Sequence, residues 1–311
     1  MNLDFFAREI HHLKHAQAIA DGFGLKVKTK IEEITADYVC VFAYGDLKLM
    51  DKLGKKIIFC EHGVGMYYNN EHPSYAGSTE HRENVVLRLS PNKLHADKER
   101  ETLKCPIEII GIPKLDKYAG KKYRVIRKYR PTIAISFHWD CLVCQETRSS
   151  FKYFEKILPV LKKNFEIIGH GHPRIIDKIA PYYKKYGIKF TRDFETILDK
   201  ADVYICDNSS TIYEWGITKK PIVLLNPPFY RREIEYKGNP RFWKHSDIAP
   251  LCNTPEELEG CIWDSIKNHE YYLPKIEMAN RHILTYTDGK CTERAIEAIL
   301  RHLVFKDNKT I

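Results

Sequence analysis

The 311-residue chain lacks any apolar run approaching the roughly 18–20 residues that a membrane-spanning helix needs. Its opening stretch, MNLDFFAREIHHLKHAQAIA, carries charges where a signal peptide would be apolar. Both absences predict a cytoplasmic protein. Also missing are a GxSxG elbow, a Walker-type phosphate loop, a GxGxxG turn after a strand and a helical His-Glu-x-x-His, which removes the commonest hydrolase, NTPase, dehydrogenase and metalloprotease readings. No internal repeat or low-complexity tract is found. Cysteine is present, but in an odd number, nine, with several inside apolar strand-like runs, which fits reduced thiols better than a disulfide framework. The lone CxxC at 141–144 has no second pair to complete a zinc site.

What is present is ordinary in amount and particular in order. With 43% hydrophobic and 29% charged residues, the chain can bury the cores of two domains. The formal charge of +9, from 50 basic against 41 acidic side chains, favours anionic partners: phosphorylated substrates, a membrane surface or nucleic acid. Most of that excess lies in solvated pairs such as Lys121-Lys122, Lys162-Lys163 and Lys184-Lys185. Only the YRVIRKYRP stretch interleaves aromatic and basic residues, too little for a nucleic-acid-binding module.

Short β-branched runs recur, each followed by a turn and a helix-like pattern: Tyr38–Ala43, Lys56–Cys60, Val85–Leu89, Ile107–Ile110, Thr132–Ser136, Phe165–Ile168, Val203–Cys206 and Pro221–Leu225. This alternation predicts an α/β chain of parallel sheets wrapped by helices. The basic stretch between about 117 and 131, closed by a proline, reads as an inter-domain linker. The expected division is an N-terminal α/β domain over 1–122, a C-terminal α/β domain over 123–290, and a helix over 291–311 packing back through Ala295, Ile296, Ile299 and Leu300. Two doubly wound, Rossmann-like domains facing a cleft collect ligand-binding groups at the carboxyl ends of their strands.

Three strand ends carry such groups. In IIFCEHGVGMYYN, residues 57–69, a strand gives way to Glu61, His62 and Gly63, where a histidine can serve as acid, base or phosphate donor. In GHGHPRI, residues 169–175, the strand is expected to end at Ile168, with Gly169–Arg174 looping into a helix begun by Pro173. His170 and His172 could suit a metal, but no third or fourth ligand accompanies them. The alternatives are anion binding by backbone N–H groups, Arg174 and a histidine, or a histidine satisfied within a buried strand end. In ADVYICDNSSTIYEWGITKKPIVLLN, residues 201–226, Asp207, Asn208, Ser209, Ser210 and Thr211 open a helix bearing Glu214 and can either cap it or hold a diphosphate. SFHWD, residues 136–140, puts His138 and Asp140 after another strand, and PPFYRRE, 227–233, puts Arg231 and Arg232 where an anionic acceptor could be met.

The order of these motifs resembles the CDP-glycerol glycerophosphotransferase family, enzymes of teichoic-acid and related cell-surface polyol-phosphate assembly with a GT-B-like fold. Glu61-His62-Gly63-Val64 is similar to its "WHGT" signature, with the tryptophan and threonine replaced. LSPNKLHADKERETLKCPIEIIGIPKLD is similar to its serine-bearing strand, helix and "G-x-P-R-x-D" segment, here Gly111 to Asp116. ISFHWD stands where the family has "PTWR", His172-Pro173 matches its "HP" pair, and Asp207-Asn208-Ser209-Ser210 is similar to its "DYSS" loop. Pro221-Ile222-Val223 is similar to its "KPI" strand, and Asp288-Gly289-Lys290 to a "DGKAS"-type turn. The resemblance spans roughly residues 55–300.

It implies a transferase that moves a glycerol-phosphate or similar polyol-phosphate group from a CDP-linked donor to a hydroxyl of a glycan or lipid-linked acceptor. The first domain would be the acceptor side and the second the nucleotide-donor side. His62 and His172 would be the catalytic pair, with His62 favoured as base and His172 as phosphate partner, the reverse staying open. Asp207, Ser209, Ser210, Thr211, Arg174 and His138 would hold the donor; Glu61, Gly63, Glu214 and Arg231 would support the acceptor side. No metal or cofactor is implied, because GT-B-like enzymes neutralise a leaving diphosphate with helix dipoles and basic side chains. A cytoplasmic enzyme touching the inner membrane face is the expected setting. The alternative on the same scaffold is a glycosyltransferase using a nucleotide-sugar donor on a glycan or nucleic-acid acceptor.

Overall fold

A computed structural model describes residues 2–64, 82–101, 103–123, 125–140, 148–230 and 242–307. The chain divides into two compact units: unit 1 comprises 1–120 together with 281–311, and unit 2 comprises 121–280.

Unit 1 begins with β1 (Leu3–Phe6), α1 (Ile10–Ala20), β2 (Val27–Lys28), β3 (Tyr38–Val41), α2 (Tyr44–Lys52), β4 (Lys56–Cys60), β5 (Val85–Ser90), α3 (Lys93–Glu99) and β6 (Ile107–Ile109). The strands form one sheet in the order β2-β1-β3-β4-β5-β6, and every pairing is parallel. Neighbouring residues along a strand face opposite sides of the sheet, so both faces must be covered. Phe5, Cys40 and Ile58 pack on one face with Ala16, Ile19 and Ala20 of α1. Phe6, Val41, Ile57 and Phe59 pack on the other with Leu47 and Met50 of α2. β1 went unread in the sequence because Asp4 interrupts its apolar run. The Asp4 carboxylate accepts from the N–H groups of Thr35 and Ala36, both at 2.9 Å, and pairs with Lys28 at 2.7 Å.

Unit 2 contains β7 (Thr132–Phe137), α4 (Phe151–Phe154), α5 (Leu158–Leu161), β8 (Glu166–Gly171), α6 (Pro173–Lys185), β9 (Lys189–Phe190), α7 (Phe194–Lys200), β10 (Val203–Cys206), α8 (Thr211–Gly216), β11 (Ile222–Leu225), β12 (Leu251–Cys252) and α9 (Leu258–Lys267). Its all-parallel sheet runs β12-β11-β10-β7-β8-β9, the dinucleotide-fold order in which the winding reverses between β7 and β10. The helix α10 (His269–Leu284) carries the chain across the unit boundary, and α11 (Cys291–Asp307) returns it to unit 1. There Ala295, Ala298, Ile299 and Leu303 complete the α1 side of the core, while Leu300 is exposed.

The observed division falls at 120/121 and 280/281 rather than 122/123 and 290/291. The expected linker starts too early, since the turn Pro113–Tyr118 buries Leu115 and Tyr118 in unit 1. β8 also runs three residues past Ile168. Gly169 and Gly171, which read as loop residues, sit inside the strand because α6 packs against it at close range. A Cβ on Gly169 would lie 2.7 Å from the Tyr183 ring, and one on Gly171 2.9 Å from Ile179 Cδ1. Among the described residues, no helix is long and apolar enough to cross a membrane.

Candidate active site

In a doubly wound sheet, ligands collect outside the carboxyl ends of the strands where the winding reverses. In unit 1 that point lies between β1 and β3, and in unit 2 between β7 and β10. Each is surrounded by histidines.

At the unit 1 point, His62 follows β4 in a turn that Gly63 permits, with φ of +71°. Its Nδ1 lies 2.9 Å from the Phe42 carbonyl at the end of β3. A carbonyl only accepts, so Nδ1 carries the proton and the neutral ring has its lone pair on Nε2. Desolvation pushes the pKa of His62 down to about 4, against the opposing effects of Glu61 and the Phe42 carbonyl, so the ring is neutral at pH 7. The first turns of α1 bring three more histidines to the same place. The His12 ring centroid is 4.2 Å from that of His62, His11 5.7 Å and His15 6.3 Å. Sequence reasoning missed all three, although H-H-x-x-H on an amphipathic helix was a visible signal.

Glu61 does not open toward a ligand. Its carboxylate accepts from Arg88 Nη2 at 2.7 Å, while Arg88 Nε donates to Glu99 at 2.6 Å and Nη1 to the carbonyls of Phe59 and Leu89. Arg88 is fully buried, and this network ties the ends of β4 and β5 together directly behind His62. Asp116, from the Gly111–Asp116 segment, also acts internally: its carboxylate accepts the N–H groups of Cys291 and Thr292 and caps α11.

At the unit 2 point, His138 follows β7 and Asp207 follows β10. Asp207 accepts from the His138 N–H at 2.7 Å, the Ser150 N–H at 3.0 Å and the Ser150 hydroxyl at 3.1 Å. Burial lifts its pKa to about 6, and the two N–H donors hold it from rising further. These bonds clamp the two strand ends, so Asp207 shapes the loop bearing His138. His172 is the N-cap of α6. Its Nδ1 accepts the Arg174 N–H at 3.2 Å, which leaves the proton of the neutral ring on Nε2, and its carbonyl accepts from Ile175 and Ile176. The expected backbone anion cradle is therefore corrected. With Pro173 lacking an N–H and the next three amides satisfied by His172 itself, this helix start has only side chains to offer an anion.

Those side chains cluster. The His138 ring lies 5.3 Å from His172, and the Arg174 guanidinium stacks 4.5 Å over Trp139. His170, by contrast, is buried in β8 with Nδ1 2.7 Å from Ser136 Oγ. The Ser209 hydroxyl is 2.6 Å from that of Thr211, which is 2.7 Å from the Tyr204 hydroxyl. Ser210, the N-cap of α8, makes no capping bond through its side chain and is half-buried. Glu214 is buried in α8. α8 has only six residues, so the dipole expected to steady a diphosphate is a short one. Arg231, Arg232 and the CxxC cysteines lie outside the described residues.

Two parallel, doubly wound units of this kind define the GT-B-like class. The sequence narrows the class: residues 107–301 match the family described as CDP-Glycerol:Poly(glycerophosphate) glycerophosphotransferase, and the chain belongs to that family. It is 25% identical over 155 residues to the teichoic acid ribitol-phosphate polymerase TarK of Staphylococcus aureus (strain NCTC 8325 / PS 47), a match covering 48% of this chain and 29% of TarK. It is 27% identical over 150 residues to TarL of the same strain, also a teichoic acid ribitol-phosphate polymerase, covering 46% of this chain and 25% of TarL. The chain thus matches less than a third of the length of these curated relatives. Among solved structures, the wall teichoic acid polymerase TagF superposes with a TM-score of 0.69 at 14% identity, over 100% of this chain and 90% of that one. A putative UDP-N-acetylglucosamine 2-epimerase from Listeria monocytogenes gives 0.60 at 14% identity, over 98% and 96%. At such identities the likeness establishes the fold.

Proposed function

We propose that the chain transfers a polyol-phosphate group, glycerol phosphate or ribitol phosphate, from a CDP-linked donor to a hydroxyl of a glycan or lipid-linked acceptor at the cytoplasmic membrane face. The observation that carries this reading is made in each unit by itself: the Nδ1 contacts of His62 and His172, each at its own unit's point of reversal, give the two neutral rings opposite tautomers. His62 has its lone pair on Nε2 and suits a base, while His172 has its proton on Nε2 and suits a donor to phosphate oxygen.

In the proposed step, the acceptor oxygen attacks the phosphorus that bears the polyol as its proton passes to His62 Nε2. The bridging P–O bond breaks, and its electron pair leaves with CMP. His172 Nε2–H and the Arg174 guanidinium steady the charge on the phosphates, with Ser209, Ser210 and Thr211 as further hydroxyl donors to the donor substrate. His138, held by Asp207, lines the same strand end, and Glu61 and Glu214 act by positioning. No cofactor enters this reading. Family membership and the polyol-phosphate polymerases among the relatives support it.

The test is a panel of CDP-glycerol, CDP-ribitol and nucleotide-sugar donors with a polyol-phosphate primer, reading the nucleotide released. CMP from a CDP-polyol is expected. Release of a nucleoside diphosphate from a nucleotide sugar would move the chain to glycosyl transfer, and no release from any donor would reject both.

A further inference from the structure

The histidines beside β1 and β3 form a constellation that proton transfer by His62 alone does not explain. One nitrogen from each of His11, His12 and His62 can be chosen so that all three lie within 4.8 Å of one another. His12 is 5% exposed, and neither of its ring nitrogens has a hydrogen-bond partner among the described residues. A buried imidazole without partners forfeits its hydrogen-bonding energy unless something else takes its lone pair. Its ring lies 3.8 Å from that of His11 and 4.2 Å from that of His62.

We infer that His11, His12 and His62 form a binding site for a transition-metal dication of the zinc type, and that the ion competes with the catalytic use of His62. Three imidazoles match the ligand type and the number of protein ligands of three-histidine zinc sites, which leave the fourth position to a non-protein ligand. In a tetrahedral site, nitrogens about 2.0–2.1 Å from zinc stand about 3.3 Å apart, so the triad, with its nitrogens within 4.8 Å of one another, has to draw together on binding. Imidazole favours zinc, cobalt, nickel or copper over magnesium and calcium, which prefer oxygen. Arg8 and Lys114 are the nearby cations and oppose the ion; Arg8 is paired with Asp46, and Glu61 lies next to His62. The ion would occupy Nε2 of His62, since Nδ1 is engaged with Phe42. That nitrogen is the one the proposed base must use, so the competition, though not the binding, rests on the reading under Proposed function.

Cobalt(II) titrated into the full-length protein tests the site. The expected result is one ion per chain with the visible bands of a four- or five-coordinate nitrogen/oxygen site and no thiolate charge-transfer band, displaced by zinc. His12→Ala and His11→Ala should each weaken binding by more than the roughly tenfold to hundredfold that losing an outer-shell partner costs. Circular dichroism checks that both variants fold, and His302→Ala, a surface histidine paired with Glu108, should bind as the parent does. Absence of cobalt bands, a thiolate band, or parental binding by a folded His12→Ala variant would overturn the inference. Binding that depends on His12 in a protein releasing no CMP would leave the site standing and reject the proposed function. CMP release that zinc does not slow while it is bound would reject the competition.

Discussion

His62 and His172 differ in which ring nitrogen holds the proton, and that difference sets what each can lose. His62→Ala and His172→Ala should each lower turnover by about a hundredfold or more, the usual size of an acid–base contribution, while far-UV circular dichroism stays unchanged. Near-parental turnover in both would reject the assignment. Because burial holds His62 at about 4, the acid limb of kcat/KM should fall below pH 5, well under that of a solvent-exposed histidine. The same shift bears on stability. A histidine with its pKa below the unfolded value contributes fully above about pH 6.5 and loses that contribution as pH falls toward 4. His62 alone should cost unit 1 about 2 kcal/mol between pH 7.5 and 5, and His12 and His15, also pushed down by burial, act in the same direction. Asp207 works oppositely: with its pKa raised to about 6, its cost to unit 2 is relieved as pH falls through 6. Hydrogen exchange over Lys56–Cys60 should therefore lose protection at pH 5, after correction for intrinsic rates. All four tryptophans, 139, 215, 243 and 263, lie in unit 2, so their fluorescence should report the smaller response. Protection in β4 that is flat across this range would rule out burial as the source of the shift.

At the scale of elements, the ends of β4 and β5 are held by Arg88, which serves two carboxylates and two carbonyls at once. Arg88→Met should destabilise unit 1 by about 3–5 kcal/mol, because it removes the guanidinium that donates to both buried carboxylates, Glu61 and Glu99; the denaturation midpoint reads this directly. Gly169→Ala should cost about 1–3 kcal/mol by driving a methyl into Tyr183, with the slope of the denaturation curve unchanged. These positions also mark how far the sequence was legible. The bounds of strands such as Lys56–Cys60 and Val203–Cys206 are legible to the residue because short apolar runs rich in β-branched residues leave little else to choose. Leu3–Phe6 was hidden by a charge that turns inward to cap a neighbouring loop. The two-residue strands Val27–Lys28, Lys189–Phe190 and Leu251–Cys252 carry no periodicity at all. At the site, His62, His172 and the Asp207 loop were visible as polar groups following strands. The α1 histidines show in sequence only as H-H-x-x-H on a helix, with nothing to tie them to His62, because helix and strand end meet only once the sheet order is known. The glycines of GHGHPRI misled for a related reason: close packing and a loop call for the same residue.

For the whole molecule, two six-stranded parallel sheets are both doubly wound though they differ in strand order, and each has histidines where its winding reverses. The units differ in how the chain builds them. Unit 2 is continuous, whereas unit 1 takes its last helix from residues 281–311. Ending the chain after Lys290 should uncover the apolar surface that Ala295, Ala298, Ile299 and Leu303 now cover. The truncated protein should bind a hydrophobic dye and lose exchange protection in β1 and β3, yet keep tryptophan emission close to that of the parent. Parental protection in β1 would show that α11 is dispensable. The same discontinuity sets an order on the ribosome. At about 5–20 residues per second, some 10–40 s separate the emergence of β6 from that of Leu303. The part of unit 1 made first thus waits with one face of its sheet uncovered, and unit 2, made second, can finish before it.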